Sequence, residues 1–340
     1  MRVYFRGRRA RLRVGLGPGL AGAETGTGHG NVWRHVLGEL SARPDVRLMR
    51  RGRADVWLAS GHAEPPQGRP LVVQVHEIGW RDPELRAILH PDFAAMMEAA
   101  TGAALTAADR VIVPSQASRR QVLDAHSMSA DHVHAVPHGV DHARFHPACG
   151  GGRGRALVGA PYVLFVGVLH PRKNFAALRE AIAGLARRGL PHRLVLVGNP
   201  ARDRGDASEF ERQAEGDLPG LPGRVLRVHG IDERDVAALM ADTDAFCLPS
   251  LFEGFGLPAL EAMACGAPVV VSDRGALPEV VGDAGLVTAP EALAVEHALE
   301  RVLTDPALAQ RLRTAGPRRA AGFTWERTAE GWLEVLRAAA

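Results

Sequence analysis

The sequence predicts an α/β protein made of two doubly wound, Rossmann-like domains that face each other across a cleft. Three observations carry this expectation. Short apolar, β-branched runs alternate with helical patterns along most of the chain, as parallel sheets covered by helices require. The length of 340 residues exceeds what one ordinary core supports, so two domains of about 150 residues each are expected. Between the halves, PACGGGRGRALVGAP is dense in Gly and Arg and lacks apolar periodicity, which marks a linker.

In the first half the strand-like runs are MRVYF, ADVWLA, PLVVQVH, RVIVPS and VHAVPH, separated by helical stretches that include NVWRHVLGEL and FAAMMEAATGAALTAA. YVLFVG, RLVLVG, RVLRVHG, AFCLPS and APVVVSD play the same part in the second half. FTWERTAEGWLEVLRAAA reads as a terminal helix that packs back on the first domain. These readings give a first domain over 1–147, a linker over 148–160, a second domain over 161–322 and a returning helix over 323–340. Doubly wound sheets bind ligands beyond the carboxyl ends of their strands, so the ligand belongs in the cleft.

The composition, 46% hydrophobic and 23% charged, has no apolar run near the ~20 residues of a membrane helix and reads as soluble and globular. The chain opens on MRVYFRGRRARLR without the apolar stretch of a secretion signal, and its three cysteines (Cys149, Cys247, Cys265) cannot all pair. A reducing cytoplasm is the expected setting. The net charge of +3 hides an asymmetry, with 12 Arg against 3 acids in the first 53 residues. This segment is either a solvated face in an Arg-biased chain or a surface for an anionic or lipid-linked acceptor, with peripheral contact at the inner face of a membrane. Nucleic acid is not an expected partner.

The strongest local motif is FEGFGLPALEAMACG, which follows the run AFCLPS directly. Pro258 suits a first helical turn and Gly266 a helix end, so 258–265 is a short helix with Glu253 in the preceding loop and Glu261 on the helix. Gly254 and Gly256 let a ligand approach the backbone, and the helix start offers free N–H groups. Two ionised carboxylates accept hydrogen bonds but repel phosphate, so they suit hydroxyl-rich groups such as a ribose and a hexose.

The second motif is FVGVLHPRKNF, a strand ending at Gly167 and a loop carrying Arg172 and Lys173. Of the 41 basic residues 40 are Arg, and Lys173 is the single lysine. An ammonium is a compact point charge where guanidinium is a planar fork, so position 173 calls for the former's shape. Two cations at a strand's carboxyl end can neutralise a diphosphate leaving group without a metal.

Together, PRKN, the FEGFG turn and the glutamate pair resemble glycosyltransferase family 4, whose members have the two-domain glycosyltransferase B fold. GHGNVWRHVLGEL is similar to the family's Gly-rich loop and helix, VVQVHE to its histidine-bearing strand end, and VPHGVDHARFHP, VSDRGALPEVVGDAGLV and FTWERTAEGWLEVL to later segments. The resemblance implies a retaining, metal-independent transferase that moves a sugar from a nucleoside-diphosphate sugar to an acceptor hydroxyl. It implies that Arg172 and Lys173 grip the diphosphate, Glu261 the ribose, and Glu253 the transferred sugar. Gly167 and the backbone of Gly254, Phe255, Gly256 and Leu257 help hold the donor, Gly28 and Gly30 close over it, and His76 sits at the reacting centre. Departures are Val168 where relatives carry an arginine, Glu77 for a usual aspartate, His29 and Asn31 in the Gly-rich loop, and His138 for a common asparagine. They bear on acceptor recognition more than on donor binding.

Rival readings stay open on the sequence. The same fold hosts nucleotide-sugar epimerases, phosphorylases and non-catalytic nucleotide-sugar binders. Asp242 and Asp244 form an Asp-x-Asp that could suggest a metal-diphosphate site, but they close a helical pattern just before AFCLPS; the run His126, His132, His134, His138, His142 and His146 lacks the spacing of a compact tetrahedral site, and no metal or other cofactor is expected.

Overall fold

The computed structural model describes residues 11–18, 20, 28–168, 170–198, 218, 221–228 and 230–340. Two parallel sheets of six strands each form its frame. The first holds β1 (Leu12–Leu16), β2 (Val46–Met49), β3 (Val56–Ser60), β4 (Leu71–Gln74), β5 (Arg110–Val113) and β6 (Val133–Ala135) in the order β2-β1-β3-β4-β5-β6. The second holds β7 (Tyr162–Val166), β8 (Arg193–Val197), β9 (Val225–Val228), β10 (Ala245–Leu248), β11 (Val269–Ser272) and β12 (Leu286–Thr288) in the order β12-β11-β10-β7-β8-β9. From β7 the second sheet grows first toward β9 and then, across β7, toward β12. The loops after β7 and β10 therefore diverge at the topological switch point, where such sheets open a crevice for ligands.

The strands form because both faces of each sheet are covered. Val14, Val56, Leu58, Val72 and Ile112 are buried under α1 (Gly28–Ala42) and the terminal helix. Leu71, Val73, Val111 and Val113 point to the other face, in the cluster that Ala94, Ala104, Leu105 and Val122 join from α3 (Pro91–Ala107) and α4 (Gln116–Ala125); α2 (Pro83–Ala87) precedes these two helices. The second sheet is sandwiched by α6 (Phe175–Arg187), α7 (Glu233–Asp242), α8 (Leu257–Ala264), α9 (Leu277–Val281), α10 (Ala292–Thr304) and α11 (Pro306–Ala320), which share one core with β7, β8, β10 and β11. The terminal helix α12 (Trp325–Ala339), capped by Thr324, lies against the first domain: Trp332 is fully buried there and meets Trp33 edge-on at 5.1 Å.

Four elements differ from the sequence expectation. The expected strand MRVYF lies outside the described residues, and the described strand at this end of the sheet is Leu12–Leu16, inside the Arg-rich run. β2 and β12, each at one edge of its sheet, had no expected counterpart. Within 148–160, expected as linker, residues Arg153–Val158 form α5, packed on α7. Asp242 and Asp244 fix it: Asp242 accepts the Gly154 amide at 2.8 Å, and Asp244 accepts Arg155 and, at 2.9 Å, the Tyr162 amide. This Asp-x-Asp anchors the junction between the domains. Among the described residues no helix is long and apolar enough to cross a membrane.

Candidate active site

The loop after β7 is shaped by residues whose backbone is unusual. Gly167 has φ +154°, and a side chain at Gly198 would bring its Cβ within 1.9 Å of the Gly167 carbonyl, so the ends of β7 and β8 close together only as glycines. Pro171–Lys173 make a single 3-10 turn, started by the His170 side chain accepting the Arg172 amide at 3.2 Å. Asn174 then adopts φ +54°, the left-handed conformation that Asn tolerates best among residues with a side chain. Its Nδ2 donates to the carbonyls of Pro249 at 3.1 Å and Pro290 at 2.7 Å, which ties the loop to the segments after β10 and β12. Leu251 donates its amide to the Arg172 carbonyl at 2.7 Å, so the two switch-point loops are bonded to each other.

This frame brings Arg172, Lys173 and Glu253 into one buried cluster. Lys173 donates to Glu253 Oε1, Arg172 donates to Oε2 at 3.2 Å and to the Phe252 carbonyl at 3.1 Å, and Ser250 donates to Oε1 at 2.7 Å. Lys173 and Glu253 are 6% and 5% exposed, which leaves no room for the charges to be satisfied by water instead. Glu77, from the first domain, faces Arg172 at 3.7 Å. Two cations thus meet two carboxylates. Burial pushes the Glu253 carboxyl up, yet Lys173, Arg172 and the Ser250 hydroxyl outweigh it and hold the group down at about 2. Oε1 already accepts two hydrogen bonds and Oε2 one, so one lone-pair direction of Oε2 remains for a ligand hydroxyl.

The turn beyond Glu253 is locked by contact. Gly275, at φ +59°, lies so close that a Cβ there would be 2.3 Å from the Glu253 carbonyl, which accepts the Ala276 amide at 2.9 Å. Gly254 abuts the first domain, where a Cβ would come within 2.3 Å of the His76 carbonyl. Phe255 is buried against His138 at 5.0 Å and Phe323 at 6.1 Å. Gly256, at φ +98°, caps α8, which runs over Leu257–Ala264, one residue earlier than the predicted 258–265; Pro258 is in its first turn and Gly266 follows its end. Glu261 lies half-buried on this helix with no hydrogen bond or ion pair to its carboxylate among the described residues. Burial pushes it up to about 8, Arg144 opposes, and Glu233 and Asp141 add to the rise.

His76 is buried in the opposite wall, its ring 5.9 Å from His62 and 5.7 Å from His138, with Trp80 beside His62 at 5.7 Å. Gly28 and Gly30, expected in a loop, belong to the first turn of α1, and residues 21–27 before them lie outside the described residues. The structure therefore brings Arg172, Lys173 and Glu253 into contact beside Gly167, places Gly254 against the His76 backbone, and sets Glu261 on the helix leading away from Glu253. Val168, a departure expected from the resemblance, is 48% exposed. The sequence reading missed the roles of Asn174 and Ser250, and of Ser115 and Ser118, whose hydroxyls donate to the Gly254 carbonyl. Ser115 followed by Ser118 carried the serine signature of a helix N-cap; Ser250, at a strand end, carried none.

The family profile described as Glycosyl transferases group 1 matches residues 155–319, and that of Glycosyltransferase Family 4 matches residues 28–144. The chain is 34% identical over 235 residues to the MMP alpha-(1->4)-mannosyltransferase of Mycolicibacterium hassiacum, covering 67% of this chain and 54% of that protein. It is 35% identical over 218 residues to the GDP-mannose-dependent alpha-(1-6)-phosphatidylinositol dimannoside mannosyltransferase of Mycobacterium tuberculosis, covering 63% and 54%. The chain thus spans about half the length of these curated relatives. In fold it is similar to the sucrose-phosphate synthase of Thermosynechococcus elongatus, with a TM-score of 0.78, 23% identity and coverage of 96% and 99%.

Proposed function

Because the chain belongs to glycosyltransferase family 4, with the group 1 glycosyl transferases, we propose that it moves a sugar from a nucleoside-diphosphate sugar to an acceptor hydroxyl, retaining anomeric configuration and using no metal. The observation that carries this reading is the buried Arg172–Lys173–Glu253 cluster at the switch point between β7 and β10. The two cations stabilise the diphosphate as the sugar–oxygen bond breaks, where negative charge develops, and their fixed placement in a water-poor site makes each hydrogen bond count for more than in water. Glu253 keeps them aimed and offers the remaining lone pair of Oε2 to a sugar hydroxyl. Glu261 takes the ribose hydroxyls, while the backbone of Gly254, Phe255, Gly256 and Leu257, with Gly167, lines the donor. Gly28 and Gly30 cover it from the first domain. The departing phosphate takes the acceptor proton on the same face, and His76 binds the sugar in flight.

The acceptor reading follows the charge. The Arg-rich first 53 residues favour an anionic or lipid-linked acceptor, consistent with a relative named for phosphatidylinositol dimannoside. Sedimentation with anionic vesicles that weakens as salt rises is the expected behaviour.

The test is proton NMR of the anomeric signals when UDP- and GDP-sugars are offered with a pool of hydroxyl acceptors in the presence of chelator. The expected result is release of nucleoside diphosphate with retained configuration, lost in Glu253→Gln while donor binding persists. Inverted product, or a strict metal requirement, contradicts the reading. Conversion of the donor to its epimer without acceptor points to the epimerase rival.

A further inference from the structure

Helix α4 of the first domain meets the second domain end-on. Ser115 caps it and accepts the Ser118 amide at 3.0 Å. The hydroxyls of both serines donate to the Gly254 carbonyl, at 2.8 Å from Ser115 and 3.1 Å from Ser118, and both side chains are buried. Glu279 of α9 lies across the same helix end: each of its carboxylate oxygens is 3.0 Å from the Gln116 amide, and Oε2 is 3.3 Å from the Ala117 amide. A helix begins with N–H groups that lack partners within the helix and with a partial positive charge, so a carboxylate satisfies both needs. Here the carboxylate comes from the other domain.

The two grips hold one unit. Glu279 follows Ala276, whose amide donates to the Glu253 carbonyl, and Gly275, which packs against that carbonyl, and Arg319 braces the far side by donating to the carbonyls of Glu279 at 2.7 Å and Val280 at 3.1 Å. Gly254 is the residue after Glu253. The end of α4 therefore touches the Glu253 turn through its carbonyl on one side and through α9 on the other.

We propose that the N-terminus of α4 is an interdomain latch and that Glu279 is a positioning residue, holding the Glu253 turn against the first domain. Both grips form only when the domains are together. Parting them gives Glu279 and the serines to water, so the latch opens without stranding a buried charge. Its kinetic consequence rests on the transferase reading; its structural consequence does not.

Small-angle scattering of the full chain and steady-state kinetics, compared for wild type, Glu279→Ala, Glu279→Gln and Ser118→Ala, test this. Ser118→Ala leaves the Ser115 cap in place, and Glu279 lies at the surface, so folding is checked by circular dichroism rather than feared. In Glu279→Ala the expected result is a larger radius of gyration and a kcat lower by about tenfold or more, since small misplacements at a reacting centre carry such losses, with the Kd of the nucleotide sugar changed by less than about twofold. Glu279→Gln, which keeps an acceptor oxygen but loses the charge, falls between. Unchanged scattering with unchanged kcat in both Glu279→Ala and Ser118→Ala overturns the latch, as does an equal loss of donor binding and kcat. If the wild-type protein turns over no nucleotide sugar, the transferase reading fails, and the scattering comparison alone decides the latch.

Discussion

Lys173 donates to Glu253 Oε1 in a setting where neither side chain reaches bulk water. The single lysine of the chain is thus the partner of the carboxylate at the heart of the FEGFG turn. Removing one member of such a pair leaves the other buried and uncompensated. Lys173→Met is expected to destabilise the fold by about 3–5 kcal/mol, and the double variant Lys173→Met with Glu253→Gln to recover a large part of it. Urea denaturation of the two single variants and the double variant measures this as a coupling energy. Additive losses would show that the pair is not a unit.

The two glutamates give opposite pH signatures. Glu253 is held at about 2 against an ordinary 4.5, so its contribution to stability is full above the ordinary value and is lost as pH falls toward 2. Glu261 is raised to about 8, so the folded protein binds its proton more tightly than the unfolded chain does; its contribution is full below 4.5 and declines as pH rises through about 8. Glu261→Gln should flatten the alkaline limb of the stability profile and leave the acid limb intact. Because the ribose is taken to favour the ionised carboxylate, donor affinity in the wild-type protein should also increase from pH 6 to about 8, and this slope should vanish in Glu261→Gln. Calorimetric titration in buffers of different ionisation enthalpy reads the released proton.

Asn174 supplies a left-handed residue and two donated hydrogen bonds at one position. Each bond contributes about 1 kcal/mol net and the left-handed backbone costs an ordinary side chain about 1–2 kcal/mol, so Asn174→Ala should cost roughly 3 kcal/mol. Asn174→Gly, which keeps the backbone freedom, should cost less. A larger loss in Asn174→Gly than in Asn174→Ala contradicts this division.

Cys149 and Cys265 lie with their sulfurs 3.7 Å apart. The Cys149 thiol donates toward the Cys265 sulfur and to the Ala237 carbonyl at 3.3 Å, and its hydrogen-bonding contact with Cys265 holds it down at about 6, with burial opposing. Burial alone pushes the Cys247 thiol far up. Alkylation followed by mass spectrometry should modify Cys149 with a midpoint near pH 6 and leave Cys247 untouched until the chain unfolds. In Cys265→Ala the midpoint should move up.

The alternation of apolar runs made both sheets legible, since strands buried on two faces such as VVVS and LVVQ read as continuous hydrophobic runs. It failed at one edge of each sheet. β2 is four residues with Arg47 in the middle, and β12 is three residues with an exposed Val287, so neither contrasts with a loop. β1 hid among arginines because Arg13 is satisfied by an ion pair with Asp55, a partner 42 residues away that no local pattern reveals. α5 was invisible for a similar reason: its hold comes from Asp242 and Asp244, almost 90 residues on. At the site, residue types and loop positions gave Arg172, Lys173, Glu253 and Glu261. The sequence reading divided the glutamates from the cations, whereas the fold presses Glu253 onto both cations and leaves Glu261 apart. That closeness is set by which strands are neighbours, β7 beside β10, and such adjacency is a property of the sheet order alone.

Donor binding is the property on which the function of Arg172, Lys173, Glu253 and Glu261 turns. Thermal melting of the full chain with a panel of UDP-, GDP- and ADP-sugars, set beside the corresponding free nucleoside diphosphates, addresses it directly. At about 100 times its dissociation constant the right nucleotide sugar should add about 2.7 kcal/mol to stability and raise Tm accordingly, and Glu261→Gln should diminish the shift. A panel in which no nucleotide sugar and no nucleoside diphosphate moves Tm would contradict the donor site built on Arg172, Lys173, Glu253 and Glu261.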